Sequence, residues 1–199
     1  MNALFVVWLG SLACVPPAAL AHDTGASFNQ LLSLLPLPPT NAAEALNRCP
    51  ADEDTIAAAV LRRLKAPMQD TTGSTDTLQA MLEKVDEEFL ANPRLRFEQE
   101  IRVIGERVDS AIRACPKVRD GNGRLVYDSL CVVRAEMQAR HSRVEAVNRY
   151  LQEIWQAWPA YLEEIRRLPA TTSDHRVYVA RRTVLNVAAI TQTAALFAK

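Results

Sequence analysis

The sequence predicts an all-α fold, an antiparallel helical bundle built around one long central helix. The chain has only 6 glycines in 199 residues and few runs of β-branched residues, which disfavours a sheet-rich fold. Prolines and polar turns divide it into amphipathic segments of helical length. The longest of these segments extends from Leu130 to Leu168, and it defines the architecture that we expect.

Apolar side chains recur in this segment at alternating intervals of three and four residues. Such spacing places them on one stripe of a helix and leaves the other positions to solvent. The stripe consists of Leu130, Val133, Met137, Arg140, Val144, Val147, Leu151, Ile154, Trp158, Tyr161, Ile165 and Leu168. We expect this stripe to be covered by other parts of the chain or by another molecule.

Pro159 lies inside this long segment. A proline removes one backbone hydrogen bond and clashes with the preceding turn, so the helix either kinks there or divides into two helices. The apolar spacing continues beyond the proline through Tyr161 and Ile165. This continuity favours a single helix that is kinked at Pro159.

Similar stripes and the turn signals between them predict the remaining helices. They are expected over 52–66, 76–92, 94–115 and 174–198, with the long helix over 126–168. Asn92-Pro93 is expected to break the chain between the second and third helices, and Ser173 to cap the last one. The turn Asp120-Gly121-Asn122-Gly123 would join 94–115 to 126–168 in a helical hairpin around which the other helices pack.

The first 21 residues have the pattern of a secretory signal peptide. Ala3–Val15 is an apolar run too short to span a bilayer, and Ala19-Leu20-Ala21 matches a cleavage site, although no basic residue precedes the run. We therefore predict export to the periplasm or the exterior. An alternative is a lipoprotein acylated at Cys14, which would anchor the protein to a membrane. Residues 22–50 are then predicted to be an N-terminal tether with short helices, one of them over 42–48, and 51–199 the helical bundle domain.

Three cysteines remain after cleavage of this leader: Cys49, Cys115 and Cys131. An oxidising compartment favours one disulfide, with one thiol left over. We predict the Cys115–Cys131 pair because these two residues bracket the short turn of the helical hairpin. Closing a loop of this length stabilises a fold by about 3 kcal/mol in the chain-entropy model. The sequence leaves the role of Cys49 open.

No motif in the sequence has the spacing of a catalytic, cofactor or metal site, so we predict no catalytic, cofactor-binding or metal-binding residues. His22 would become the N-terminal residue after cleavage and could chelate copper, but a mobile chain start is the interpretation we adopt. The Asp120 turn resembles a calcium loop at its start, yet Leu125 and Cys131 stand where that loop needs Gly and Glu. We interpret it as an ordinary turn.

Aromatic residues concentrate around the expected kink. Trp158 lies on the apolar stripe, where core packing is expected, whereas Tyr150 and Trp155 fall off it. These two residues are expected either to pack in the core or a second helix seam, or to form a partner-binding face. Arg140 is the one charged residue on the stripe; it either extends its head group to water or meets a carboxylate of a partner. We assign Tyr150, Trp155, Trp158 and Arg140 to the predicted partner face.

Charge and hydropathy exclude several functions and favour one. The 23 Lys and Arg residues balance 23 Asp and Glu residues, which gives no overall field to attract nucleic acid or an anionic membrane. Thr and Gln interrupt the last helix too often for a transmembrane span.

The favoured hypothesis is an exported helical protein that binds another protein, as an inhibitor, immunity factor, chaperone or envelope-assembly component does. The alternatives are a small periplasmic hydrolase or metal-dependent enzyme with residues from separate helices, and a self-associating structural protein.

Overall fold

The computed structural model describes residues 28–33, 35–48 and 75–199. In chain order its elements are α1 (Phe28–Ser33), α2 (Ala42–Arg48), α3 (Thr75–Asp86), a π-helical turn (Glu87–Ala91), α4 (Asn92–Ala114), β1 (Lys117–Arg119), β2 (Leu125–Tyr127), α5 (Ser129–Arg167) and α6 (Ser173–Ala198). Helices make up about four-fifths of this part of the chain. The predicted all-α helical bundle is therefore confirmed.

The short N-terminal helices pack into the same hydrophobic core as the long ones. Leu32 of α1 and Ala45 of α2 are buried in that core. Helix α2 coincides with the helix predicted over 42–48, and the Asn41 side chain caps it by accepting from the Glu44 backbone N–H at 2.9 Å. Glu44 in turn accepts from the Thr40 hydroxyl and backbone N–H, and these bonds lower the pKa of the Glu44 carboxyl.

The predicted break at Asn92-Pro93 is wrong, because the chain stays helical from Thr75 to Ala114. Helix α3 passes into α4 through the π-helical turn, and Asp86 and Asn92 on either side of it both have right-handed helical dihedrals. A π turn already departs from the regular hydrogen-bonding pattern, and Pro93 is the second residue after it, in the first turn of α4. The missing N–H of Pro93 is tolerated there, as it is at the start of any helix.

Helix α5 is the long helix that the stripe predicts, and it continues without interruption through Pro159. Its first turn is capped by Asp128, whose Oδ1 accepts from the backbone N–H groups of Leu130 and Cys131 at 2.8 and 3.2 Å. The start at Ser129 is later than the predicted residue 126, because Leu125–Tyr127 form a strand. At 1.5 Å per residue, the 39 residues of α5 span roughly 58 Å.

Helices α4 and α5 form the predicted antiparallel hairpin, and the Cys115–Cys131 disulfide is confirmed at its neck, with the two Cα atoms 5.8 Å apart. Ion pairs between Arg96 and Glu153 and between Arg149 and Glu100 join the same two helices nearer the body. The sequence did not predict the small antiparallel sheet of β1 and β2 that closes the hairpin. Gly123, with φ of 76°, supplies the left-handed residue of its turn.

Helix α6 covers only the half of the hairpin that lies farther from the disulfide. Its Asn186 meets Tyr161 of α5, and its Phe197 packs edge-to-face on Phe97 of α4 with ring centroids 5.5 Å apart. Within the described chain, α6 covers the hairpin as far as the level of Phe97. The cap of α6 is Thr172, which accepts from the backbone N–H of His175 at 3.2 Å, so the prediction of Ser173 as the cap is wrong by one residue.

Several predictions concern residues outside the described ranges. They are the signal peptide over 1–21, acylation of Cys14, the terminal His22, the role of Cys49 and the helix over 52–66. In the described part of the chain, each helix is too short or too polar to cross a bilayer.

Removal of the disulfide is expected to destabilise the end of the hairpin that it closes. Replacing both Cys115 and Cys131 by Ser should lower the free energy of unfolding by up to about 3 kcal/mol, because the unfolded chain regains the freedom of a 16-residue loop. Amide hydrogen exchange should rise mainly between residues 105 and 143 and change little around Leu151. Unchanged protection near the turn, or peptide mapping that joins Cys49 to either cysteine, would contradict this assignment.

Candidate functional site

Two residues of the predicted partner face lie in the core. Tyr150 is only 4% exposed and stacks on Phe97 of α4, with ring centroids 4.7 Å apart. Trp158 is 3% exposed and stacks on Tyr161 at 4.9 Å. Of the two alternatives for Tyr150, the structure shows packing in a second helix seam, because α5 is covered from two sides at this level: α4 packs on the Tyr150 side, and α6 packs on another.

Trp155 and Arg140 have different surroundings. Trp155 is half-buried, and its indole N–H donates to the Pro39 carbonyl at 3.0 Å, so the ring holds the N-terminal segment against α5. Arg140 is exposed, as expected of a side chain that extends its head group to water. A role of these two residues in binding a partner stays a prediction.

The structure leaves the beginning of the α5 stripe uncovered. Leu130, Val133 and Met137 are 75%, 49% and 69% exposed, whereas Val147, Leu151 and Ile154 farther along the same stripe are fully buried. We call Leu130, Val133 and Met137 the open stripe. The sequence predicts one continuous stripe that is covered by the chain or by another molecule, and the structure shows that the described chain covers only its second half.

The face of α5 opposite the open stripe packs on α4. Ala139 and Ala146 are buried, and Ala135 is half-buried, which defines a seam of small side chains. Small residues let two helix backbones approach closely, so α4 fills this seam. In the described chain no further helix packs at this level, so the larger side chains of the open stripe, which point away from α4, remain in contact with solvent.

Exposed apolar side chains cluster near this end of the hairpin. Of eleven large apolar residues that are exposed in the described chain, seven lie between residues 118 and 137. They are Val118, Leu125, Val126, Tyr127 and the three residues of the open stripe. Single exposed apolar residues are normal on a protein surface, whereas their concentration in one region indicates an interaction site. The end of the hairpin is therefore the candidate functional site.

A polar cluster at the other end of the bundle was not predicted from the sequence. The Asp86 carboxylate accepts from the Tyr161 hydroxyl at 3.1 Å, from Asn186 Nδ2 at 2.7 Å and from Arg182 Nε at 2.9 Å. Asn186 Nδ2 also donates to the Tyr161 hydroxyl oxygen at 3.0 Å. These residues come from three helices, so nothing in their sequence spacing could reveal the cluster. The carboxylate accepts hydrogen bonds from three side chains of the chain itself. We therefore interpret it as a structural group that holds α3, α5 and α6 together.

Burial changes the acidity of the two core tyrosines. Burial is the largest cause that raises the pKa of the Tyr161 hydroxyl, and the negative charge of Asp86 raises it further. Burial also raises the pKa of Tyr150. Tyr161 therefore keeps its proton at neutral pH and remains a hydrogen-bond donor to Asp86.

The described chain contains no group of three or more His, Cys, Asp or Glu side chains placed to hold a metal ion. Asp120 Oδ1 accepts from the backbone N–H groups of Asn122 and Arg124 at 2.9 and 2.8 Å, the bonding of a tight turn. No protein-family model matches the chain, and the searches of curated proteins and of solved structures gave no match either. The geometry of the hairpin end is therefore the basis for a functional argument.

The buried tyrosines predict a loss of stability in alkali. The unfolded chain releases a tyrosine proton near the ordinary pKa of 10, whereas the folded chain holds it to higher pH. Their contribution is complete below pH 10 and is lost as the pH rises through the raised values. Urea unfolding between pH 8 and 11 should show this decline, and Tyr161→Phe should flatten it. The matched control is Tyr127→Phe at the exposed ribbon; an equal flattening there would contradict the prediction.

Removing the carboxylate of Asp86 should destabilise the bundle. Asp86→Ala leaves the Arg182 guanidinium and the Tyr161 hydroxyl without their acceptor in a mostly buried site, at a cost of about 3 kcal/mol in the free energy of unfolding. Asp109→Ala, at an exposed position of α4, is the matched control and should change it by less than about 0.5 kcal/mol. Thermal unfolding measures both variants; equal effects would contradict the assigned role of Asp86.

Proposed function

We propose that this chain is an exported helical protein that binds another protein through the open stripe of α5. Leu130, Val133 and Met137 are the anchors, and the body of the bundle holds the hairpin that presents them. Inhibitors, immunity factors, chaperones and envelope-assembly components act in this way. The proposal includes no catalytic chemistry of the chain itself.

The observation that carries the proposal is the exposure of three large apolar side chains on a regular helix. Positions i, i+3 and i+7 lie on one face, which is the arrangement of anchor residues when an amphipathic helix binds an apolar groove. Exposing such side chains to water is unfavourable by about 25 cal/mol per Å² of apolar surface. A partner that covers Leu130 and Met137 would recover this free energy.

The rigidity of the hairpin supports the same proposal. The disulfide at its neck and the ion pairs Arg96–Glu153 and Arg149–Glu100 hold α5 against α4. A face that is ordered before binding loses little conformational entropy when a partner docks, so more of the contact energy appears as affinity. The open stripe is in this respect a preorganised surface.

Export is the second part of the proposal. The apolar run and the Ala19-Leu20-Ala21 pattern support a cleaved leader, and the Cys115–Cys131 disulfide suits an oxidising compartment. The partner is then expected in the periplasm or outside the cell.

Site-specific photo-crosslinking tests the proposal in the producing cell. A benzoylphenylalanine at Met137 should form an adduct with one partner protein, because the partner covers this position. The matched control places benzoylphenylalanine at Gln138, an exposed neighbour on the same helical turn that lies off the stripe. This control should form no adduct, or much less of it. Mass spectrometry of the adduct identifies the partner.

Three results would contradict the proposal. They are equal adducts at Met137 and Gln138, the absence of any adduct, and an adduct that joins Met137 to another residue of the same chain. An adduct of twice the chain mass, with concentration-dependent mass in sedimentation, would show a second copy as the occupant and replace the partner hypothesis by self-association.

A further inference from the structure

The ribbon formed by β1, its turn and β2 has apolar groups on both of its faces. Val118 is paired with Val126, so these two side chains share one face. Leu125 and Tyr127, paired with Arg119 and Lys117, lie on the opposite face. All six strand residues are exposed, and Leu125 is 64% exposed. A two-stranded ribbon with both faces in water is marginal by itself.

The same end of the hairpin is basic, although the chain as a whole is neutral. Residues 113–134 contain five cations, which are Arg113, Lys117, Arg119, Arg124 and Arg134, and two acids, Asp120 and Asp128. Both acids are engaged as acceptors of backbone N–H groups in the turn and at the start of α5. The segment therefore has an excess of three positive charges.

These five cations lack the carboxylate partners that several arginines of the body have. In the body Arg94, Arg96, Arg149 and Arg182 form ion pairs with carboxylates of the chain. In the described structure the five cations of residues 113–134 form none; Arg119 donates to the Gly123 carbonyl, and Lys117 Nζ lies 5.4 Å from the centroid of the Tyr127 ring. Their charge is left to attract an external anion.

The ribbon lies at the end of an arm. From Tyr150, the level at which α6 ends its coverage, to Ser129 the helix extends roughly 30 Å. The disulfide lies just below the ribbon and ties the two helices together there. The arm can therefore bring the ribbon to a surface without involving the body.

The distribution of apolar groups decides between the surfaces that such a ribbon could contact. A protein groove covers one face of a ribbon and leaves the other in water, whereas a lipid interface surrounds an inserted tip and contacts both. Apolar and aromatic groups next to Lys and Arg suit the boundary between anionic head groups and acyl chains. A second copy of the ribbon is disfavoured because its excess positive charge repels the first.

We propose that the ribbon, residues 117–127, is a contact site for an anionic phospholipid surface. Val118, Leu125, Val126 and Tyr127 enter the head-group region, and Lys117, Arg119 and Arg124 bind lipid phosphates. This site is separate from the protein-binding role of the open stripe, so either can fail without the other.

Vesicle co-sedimentation with the full chain tests the proposal. The chain should bind vesicles of 60% phosphatidylcholine and 40% phosphatidylglycerol in 50 mM salt, and much more weakly in 500 mM salt or on phosphatidylcholine alone. Arg119→Gln with Arg124→Gln should lower the partition coefficient about tenfold or more, because each basic residue near an anionic surface contributes about fivefold. Leu125→Ser with Val126→Ser should lower it by a similar factor.

The matched control is Arg166→Gln with Arg167→Gln at the far end of α5, which removes the same charge and should leave binding within twofold. Every variant has the same N-terminal segment, so a difference between the pairs reports the ribbon alone. Circular dichroism and melting temperature confirm that each variant is folded. Absence of binding, equal binding to both vesicle types, or equal losses in control and ribbon variants would overturn the proposal. So would loss of the Met137 crosslink in the ribbon variants without any vesicle binding, which would assign the ribbon to a protein partner.

Discussion

The length of the two helical rods relative to the body is the constraint on which the other features depend. The segment from Thr75 to Ala114 and helix α5 each extend for nearly 60 Å, whereas α6, with 26 residues, spans only about 39 Å. One end of the hairpin therefore has a third helix to pack against, and the other has none in the described chain. The hydrophobic core and the Asp86 cluster lie where the third helix covers the hairpin. The open stripe and the ribbon lie where it does not.

Where coverage is complete, α5 buries a broad face. Val147, Leu151 and Ile154 face one set of neighbours, while Tyr150 meets Phe97 on another side. The Asp86 cluster belongs to this end. A carboxylate that is bonded to Arg182, Asn186 and Tyr161 fixes the relative positions of three helices, and it does so next to the π-helical turn. A shift in any of these helices would break several charge-assisted hydrogen bonds together. The cluster therefore favours one specific packing of the three helices over alternatives.

Where coverage is absent, the hairpin is stabilised by other means. The alanine seam lets α4 and α5 approach closely, the disulfide closes the neck, and Asp128 caps the first turn of α5. These interactions need no hydrophobic core, so the outward faces are free to carry exposed apolar and basic groups. The open stripe and the ribbon occupy those faces. The proposed protein and lipid contacts are therefore both consequences of a rigid arm that extends beyond the body.

The sequence by itself determined the helical class, the position and continuity of α5, the hairpin and the Cys115–Cys131 pair, because these follow from local periodicity, turn residues and short-range closure. The tertiary structure alone decided which part of each periodic face is covered. Apolar spacing shows that side chains share one face of a helix. Whether that face is buried depends on how many helices pack on it, and local spacing does not encode this number. For this reason the sequence left Tyr150 between a second helix seam and a partner face, and it left open whether Leu130 and Met137 are covered by the chain itself or by another molecule. The Asp86 cluster was unpredictable for the same reason, since its members meet only when three helices distant in sequence are packed together.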